Sequence, residues 1–476
     1  MRKFSFRKLL GLPLVLSVLI GAGCTNAPDA ATVAGMKPKT LNIWAVVDDE
    51  DAYAPIIQAY RAAHPQITIN YRRFRLEEYE SAVLNGLAED KGPDIFLIHN
   101  TWIGKYLSKI EPMPPFTSMV YRYVSGGATN QSETLVLKNE KSPTLKELRD
   151  AYPDVVAKDV IRRLNMAAEG ENQKLEDRIV ALPMSVDTLA MFVNKDLLNS
   201  AGVATIPAAW DTFQSTMKRI VRVDDQGKLI QAGAALGLAD NVERSTDILS
   251  ALMMQNRTIM ASDDGYPTFA QMPAALADTA TEVPGVQALR FYLDFAKPDK
   301  DSYTWSADMP NSLDAFIQGQ VAFFFGYSYH LPLIKARAPK LNLSIAKLPQ
   351  ISENPTVNYA NYWVWVVAKK SKNTDTAWNL LNFMTTPDNE KKFLDLAKRP
   401  AAHKSLLEGQ LDDEELGVFA SQVLTSSSWY KGMDPAAMEK SFAKMINNGA
   451  TAADEDLQKV LSNAQSEVSQ TMTATQ

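Results

Sequence analysis

Cysteine and histidine are scarce in this chain, and their scarcity excludes several kinds of site. The single cysteine, Cys24, rules out a disulfide within the chain and any zinc or iron–sulfur site built on cysteines. None of the four histidines lies three or four residues from another, so no helical pair of metal-ligating histidines is available. We therefore expect neither a metal ion nor a cofactor.

Motifs for nucleotide binding and hydrolysis are missing as well. The chain has no P-loop, no dinucleotide-binding glycine fingerprint, no His-Glu-x-x-His and no Gly-x-Ser-x-Gly. The net charge is −6, so the chain lacks the basic field that holds phosphate backbones, which argues against nucleic acid as a partner. Asp and Glu together number 55, so a pair of catalytic carboxylates of the glycosidase type is not excluded by counting.

The composition is that of a globular protein. The chain has 476 residues, of which 46% are hydrophobic and 22% are charged. This length is too great for one compact core, so we expect two domains. No segment after residue 24 reaches the roughly 18 consecutive apolar residues that a membrane-spanning helix needs.

The N-terminus reads as a targeting segment. Four basic residues within positions 2–8 precede an apolar stretch at 9–20 that is too short to span a bilayer, and small residues lead to Cys24. We predict a signal peptide at 1–23. The context of Cys24 resembles a bacterial lipobox, in which the cysteine is lipidated, although Gly21 stands where a leucine is usual. Ordinary cleavage that leaves a soluble protein is the alternative. Residues 24–39 are small and polar, and we predict that they form a flexible tether.

From residue 40 strands and helices alternate. Apolar runs at 41–47, 67–71 and 95–98 are separated by helical patterns, which predicts a parallel sheet with flanking helices. A second strand–helix series begins near Leu189, with Asn194 as a helix cap. We interpret 108–178 as a helical insertion with a long loop. The sequence Asn447-Asn448-Gly449 predicts a break between the two last helices.

Polar and aromatic side chains follow several of these strands. Asp48 comes after the first, and Asn100 and Trp102 come after the third, where ligands bind in α/β sheets. Carboxylates and amides bind sugar hydroxyls, while aromatic rings cover their C–H faces. The alternatives are a solvated loop for the acidic residues around Asp48 and core packing for Trp102.

Two further positions are candidates for the same reasons. Asp187 precedes an apolar run and would be costly to bury unpaired. Tyr327 and Tyr329 follow the strand at 321–325, and alternation places both on one side, as an aromatic wall or as packing between lobes.

Eight segments in order resemble the maltose-binding-like extracellular solute-binding proteins (family 1), the substrate-capturing subunits of ATP-driven importers. The segments span most of residues 40–410. They are LNIWAVVDDEDAY, YRAAHPQITINY, KGPDIFLIH, ALPMSVDTLAMFVNKDLL, IPAAWDTF, AFIQGQVAFFFGYS, WNLLNFMTTPDNEKKF and KRPAAHKSL.

The resemblance implies an α/β fold of two doubly wound lobes with a hinge and a cleft between them, that is, a type II periplasmic binding protein. Lobe one would comprise 40–183 and 362–402, and lobe two 188–357 and 403–476. Lobe closure around a ligand is a hinge motion. The resemblance further implies a monomer outside the cytoplasm, anchored through Cys24, that delivers a small molecule, above all a carbohydrate, to an ABC permease.

The resemblance also places ligand contacts. It implies roles for Asp48, Asn100 and Asp187, and for an aromatic residue just after Gly326. The stretch NYANYWVWVV departs from the family, where small residues are usual. Trp363 therefore makes the pocket narrower and more aromatic, or it packs outward. Arg399 would hold an acidic ligand or a carboxylate of the other lobe.

Two other classes of function remain open. A glycan-acting enzyme, such as a hydrolase or lyase, or an adhesin or sensor would use the same surface. Peptides, polyamines or glycerol phosphates are alternative ligands, because this fold binds all of them.

Overall fold

The computed structural model describes residues 30–125, 132–167 and 172–473. The predicted signal peptide and Cys24, the predicted lipidation site, lie outside the described residues.

Short strands form the sheets of the molecule. In chain order they are β1 Lys39–Ala45, β2 Ile67–Arg73, β3 Ile95–His99, β4 Ile110–Glu111, β5 Phe116–Ser125, β6 Ser132–Lys141, β7 Ile161–Asn165, β8 Leu175–Ile179, β9 Leu182–Pro183, β10 Asp187–Thr188, β11 Ala190–Asn194, β12 Arg222–Val223, β13 Leu229–Ala234, β14 Val321–Gly326, β15 Leu343–Ala346, β16 Asn358–Asn361, β17 Trp363–Ala368 and β18 Ser426–Ser427.

Helices cover these sheets. They are α1 Ala30–Gly35, α2 Glu50–Ala63, α3 Leu76–Ala88, α4 Ile103–Tyr106, α5 Leu145–Ala151, α6 Asp154–Val160, α7 Lys195–Ser200, α8 Trp210–Ile220, α9 Ser245–Gln255, α10 Pro284–Leu293, α11 Ser312–Ile317, α12 His330–Arg337, α13 Thr374–Met384, α14 Pro387–Ala397, α15 Lys404–Leu407, α16 Gly417–Gln422, α17 Pro435–Thr451 and α18 Leu457–Gln470.

Lobe one is built on a sheet of order β2-β1-β3-β17-β4, with β9 also paired to β17. β1 runs parallel to β2 and β3, whereas β17 runs antiparallel to β3. The central strands β3 and β17 are almost entirely buried, as expected of strands covered on both faces. Their apolar residues pack with those of α2, α13 and α14 into one hydrophobic core.

Lobe two has its own sheet, of order β12-β13-β14-β11-β15, and its own core. β11 and β14 are fully buried, and β11 pairs antiparallel with both β14 and β15. Asn194 ends β11, and its side chain accepts hydrogen bonds from the amides of Asp196 and Leu197, so the predicted cap of α7 is confirmed. The C-terminal helices α17 and α18 belong to this core.

A small linking sheet joins the lobes, with β16 between β10 and β18. β10 pairs antiparallel with β16, and β18 pairs parallel with it. The chain therefore crosses between the lobes in adjacent strands. The predicted architecture of two α/β lobes joined by crossing strands is confirmed.

The region 108–178 differs from the predicted helical insertion with a long loop. It contains two antiparallel hairpins, β5–β6 and β7–β8, besides the helices α5 and α6. The first hairpin packs on α13, where the amide of Asn379 donates to Thr117 at 3.1 Å and to Glu140 at 2.7 Å. Apolar and polar side chains are mixed along both strands, so neither strand forms the continuous apolar run that marked the buried strands.

The predicted helix break at Asn447-Asn448-Gly449 is wrong. Helix α17 continues through these residues to Thr451. Gly449 is buried where α17 meets Leu293 of α10, so the glycine allows close packing instead of ending the helix.

Two predicted boundaries shift. Residues 30–35 of the predicted tether form α1, which places Gly35 against Val120 of the first hairpin. Leu407 packs in the core of lobe one, beyond the predicted end of that lobe at 402.

Candidate functional site

The lobes enclose a small cavity beside the linking sheet. Five of the eight predicted ligand contacts line it: Asp48, Asp187, Tyr329, Trp363 and Arg399. The cavity volume is about 50 Å³, enough for one or two waters. Ligand pockets usually exceed about 300 Å³. The lobes therefore lie close together in this structure, and we call the region between them the cleft.

An ion pair of lobe one lies at the edge of this cavity. Nη2 of Arg399, just beyond α14, is 3.0 Å from Oδ1 of Asp48, just beyond β1. The two side chains are only 16% and 15% exposed, so the pair is partly shielded from water. Tyr71 donates its hydroxyl to the Asp48 carbonyl at 2.6 Å and fixes the loop. Both charges are thus held in place before any ligand binds.

Asp187 connects the linking sheet to lobe two. Its Oδ2 accepts from the amide and the hydroxyl of Ser328 at 2.9 and 2.6 Å, and its Oδ1 accepts from the amide of Thr188. Burial raises the pKa of Asp187 to about 6, while the bonds from Ser328 and the nearby Arg399 oppose the rise. The carboxylate is therefore paired, as its burial requires.

Aromatic rings from both lobes meet at the cavity. Tyr329 of lobe two is 40% exposed, and Trp363 of lobe one is partly exposed. The Trp363 ring lies edge-on to Trp102 and to His99, each with centroids 5.5 Å apart. Such accessible rings bind the C–H faces of sugars.

Three predicted contacts do not line the cavity. Tyr327 is fully buried and donates its hydroxyl to Asp247 at 2.6 Å, while its ring stacks on Tyr329. Asn100 is 2% exposed and donates to Asp159 at 3.0 Å. Trp102 packs against the core of lobe one and supports Trp363 from behind.

The sequence interpretation missed Asp159, which lies between the lobes. Its Oδ2 accepts hydrogen bonds from Asn100, from the Tyr362 hydroxyl at 2.8 Å and from the Ser428 hydroxyl at 2.6 Å. Tyr362 also lines the cavity. Asp159 lies inside the short helix α6, and nothing in the local sequence signals partners that are 59 to 269 residues away.

Asn361 was also missed, and it positions His99 beside the rings. Oδ1 of Asn361 lies 3.1 Å from Nε2 of His99. Burial, with the charge of Arg244, lowers the pKa of His99 to about 4, so the ring is neutral at physiological pH. Arg244 of lobe two holds Asp247 through two bonds of 2.8 and 2.9 Å.

The described residues show neither a metal centre nor a membrane span. Within residues 30–125, 132–167 and 172–473, no three His, Cys, Asp or Glu side chains are placed to hold a metal ion. Over the same ranges, no helix combines the length and apolar character needed to cross a membrane.

Comparison with known families agrees with this geometry. The model of the bacterial extracellular solute-binding proteins matches residues 46–391. The chain belongs to this family. As a solute-binding protein, it places its cleft residues Asp48, Asp187, Tyr329 and Trp363 within the matched region.

Known relatives of this solute-binding protein are distant in sequence. A Brucella abortus (strain 2308) protein described as a binding protein is 26% identical over 229 residues, 46% of this chain and 49% of the relative. The chain thus spans about half the length of the curated relatives it matches.

Solved structures show the same fold. The cyclic alpha-maltosyl-1,6-maltose binding protein of Arthrobacter globiformis is 16% identical with a TM-score of 0.68, over 91% of this chain and 99% of that one. An ABC transporter solute binding protein of Thermotoga lettingae, bound with alpha-D-tagatose, is 17% identical with a TM-score of 0.63, over 90% of this chain and 100% of that one.

Proposed function

We propose that this solute-binding protein captures a carbohydrate between its lobes and delivers it to an ABC permease by lobe closure. The observation that carries the proposal is the cleft itself, where accessible rings of both lobes, Tyr329 and Trp363, meet beside the Asp48–Arg399 pair. Rings and fixed charges together match the C–H faces and hydroxyls of a sugar. The sugars named for the Arthrobacter and Thermotoga structures support this ligand class.

The size of the cavity supports a motion of the lobes. At about 50 Å³ it admits no sugar, so the lobes have to separate before one enters. The linking strands β10, β16 and β18 are short, and a few residues suffice to absorb a hinge rotation. A closed form that differs from the open form gives a permease a means to recognise the loaded protein.

Ligand titration of the purified protein tests the proposal. We expect binding of a mono- or oligosaccharide in a calorimetric screen and a rise in melting temperature that follows ligand concentration. Trp363→Ala or Tyr329→Ala should weaken binding by about 2 kcal/mol, roughly 30-fold, because buried aromatic contacts dominate such sites.

Tyr123→Ala is the matched control, since Tyr123 is an exposed aromatic of the first hairpin and does not line the cavity. Its affinity should equal that of the wild type. If no saccharide binds or raises the melting temperature at millimolar concentration, the carbohydrate assignment is refuted. Turnover of a bound glycan would support the enzyme instead, and ligand binding without permease stimulation would support a sensor or adhesin.

We also propose that residues 1–23 are cleaved and that Cys24 is lipidated, which anchors a monomer outside the cytoplasm. The basic start, the short apolar stretch and the lone cysteine support this. Mass spectrometry of the membrane fraction should find acyl groups on Cys24, and Cys24→Ser should release the protein. A soluble wild-type protein cleaved before residue 24 would contradict the anchor, and light scattering tests the monomer.

A further inference from the structure

A second, larger cavity opens between the lobes, away from the cleft. It has a volume of about 660 Å³ and shares no lining residue with the cleft. On lobe one it is bounded by α6 and the start of β7, and on lobe two by the turn at residues 263–266 and by Lys431. We call it the basic groove.

Cationic side chains with no carboxylate partner among the described residues line the groove. Five line it: Arg149, Lys158, Arg162, Arg163 and Lys431. Among the residues that the structure describes, none of the five forms an ion pair with a carboxylate. Nε of Arg162 is buried and has no hydrogen-bond partner there. A buried donor without an acceptor is costly, so an acceptor supplied by a ligand would stabilise this arrangement.

The cations of the two lobes also repel each other. Lys431 donates to the carbonyl of Lys158 at 2.9 Å, which brings the ammonium of lobe two beside lobe one. Burial lowers the pKa of Lys431, and the charges of Arg162 and Lys158 lower it further against the opposing effect of Asp159. An anion between Arg162 and Lys431 would relieve this repulsion.

The opposite side of the groove is suited to hydroxyl groups. Asp263 and Asp264 are exposed on a turn that is closed by a hydrogen bond from the amide of Gly265 to the carbonyl of Ser262. Tyr266, which follows, exposes 53% of its surface. Carboxylates accept hydroxyl protons but repel a bare anion, and an exposed ring covers the C–H face of a sugar.

The arrangement of charges indicates the ligand. The five lining cations face four lining carboxylates: Asp154, Asp177, Asp263 and Asp264. Asp159 does not line the groove but acts on Arg162 and Lys431, so the net charge is close to zero, and the separation of cations from the carboxylates of the 263–266 turn is what selects a ligand. A polyhydroxylated monoanion satisfies both sides of the groove, whereas inorganic phosphate satisfies only the basic side.

We propose that the basic groove is a binding site for a sugar acid. Its carboxylate lies between Arg162 and Lys431, and the planar guanidinium of Arg162 forms paired hydrogen bonds with it. Its hydroxyls bind Asp263 and Asp264, and its ring packs on Tyr266. The site is separate from the cleft and goes beyond the proposed function.

Calorimetry of the purified protein with D-glucuronate tests the site, with D-glucose and inorganic phosphate as comparison ligands. We expect glucuronate to bind and glucose not to compete. Arg162→Gln and Tyr266→Ala should each weaken glucuronate binding by about ten-fold or more. Circular dichroism verifies that both variants fold. Arg61→Gln is the matched control, because Arg61 is exposed on α2 and has no part in the groove.

Two outcomes would overturn the assignment. One is absence of glucuronate binding, or binding that survives both groove substitutions unchanged. The other is phosphate binding as tight as glucuronate binding and indifferent to Tyr266→Ala, which would indicate a simple anion site. Trp363→Ala distinguishes the groove from the cleft: glucuronate bound in the groove is retained in this variant, whereas a cleft ligand is lost.

Discussion

Glu390 illustrates at the scale of one residue how burial sets the charge of a carboxyl group. Its side chain is fully buried in α14 and accepts hydrogen bonds from the amides of Ala402 and His403 at 2.9 and 2.8 Å. Burial raises the pKa of Glu390 to about 8, although these two bonds oppose the rise. The carboxyl group is therefore mostly protonated at neutral pH in the folded protein and ionised in the unfolded chain.

This difference predicts a pH dependence of stability. At pH values between its unfolded pKa, about 4.3, and its folded pKa, Glu390 binds more protons in the folded protein than in the unfolded chain. Its contribution to stability is therefore lost as the pH rises through this range. We expect the free energy of unfolding of wild type to fall by a few kcal/mol relative to that of Glu390→Gln when the pH rises from 5 to 8. Each unit of difference between the folded and unfolded pKa corresponds to about 1.4 kcal/mol. Urea unfolding of both proteins at the two pH values measures this, and parallel pH profiles would contradict it.

Side-chain direction limited what the sequence could predict about the site. Asp48 follows from its place just after β1, because the carboxyl ends of the parallel strands meet at the cleft. Tyr327 is closer to the end of β14 than Tyr329 is, yet its side chain turns inward, where Asp247 accepts its hydroxyl. That partner is 80 residues away, and no local pattern reveals it.

At the scale of elements, strands buried on both faces were predictable because they form continuous apolar runs. β3 and β14 are examples, and the strands predicted at 95–98 and 321–325 correspond to them. The hairpin β5–β6 lies at the surface, where polar side chains are tolerated, so its ten-residue strands gave no comparable signal.

Helix α17 shows that packing can override a local stop signal. A methyl group on Gly449 would lie 2.7 Å from Cδ1 of the buried Leu293. We expect Gly449→Ala to destabilise the protein by about 1–3 kcal/mol through overpacking, although alanine is the better helix former. Gly409→Ala is the control, because a methyl group there meets no atom within 4 Å. Thermal unfolding of the two variants tests this expectation. Equal melting temperatures for Gly449→Ala and Gly409→Ala would refute the packing role of Gly449.

At the scale of the whole molecule, the linking sheet separates two contacts between the lobes. β10, at one edge, carries Asp187 and borders the cleft. β18, at the other edge, leads to Ser428, which donates to Asp159, and to Gly432, whose carbonyl lies against Gly104 of α4. Gly104 and Gly432 therefore form a backbone contact between the lobes on the side of the linking sheet away from β10.

This contact leaves no room for a side chain at position 104. A methyl group on Gly104 would collide with the backbone carbonyls of Lys431 and Gly432, which cannot turn aside as a side chain can. We expect Gly104→Ala to push the lobes apart at this edge and so to change the angle between them. The radius of gyration without ligand, measured by small-angle X-ray scattering, should differ from that of wild type and of Gly409→Ala. Because binding of a sugar in the cleft depends on the angle between the lobes, its affinity should change as well. An unchanged radius with unchanged affinity would show that this contact does not govern the angle between the lobes.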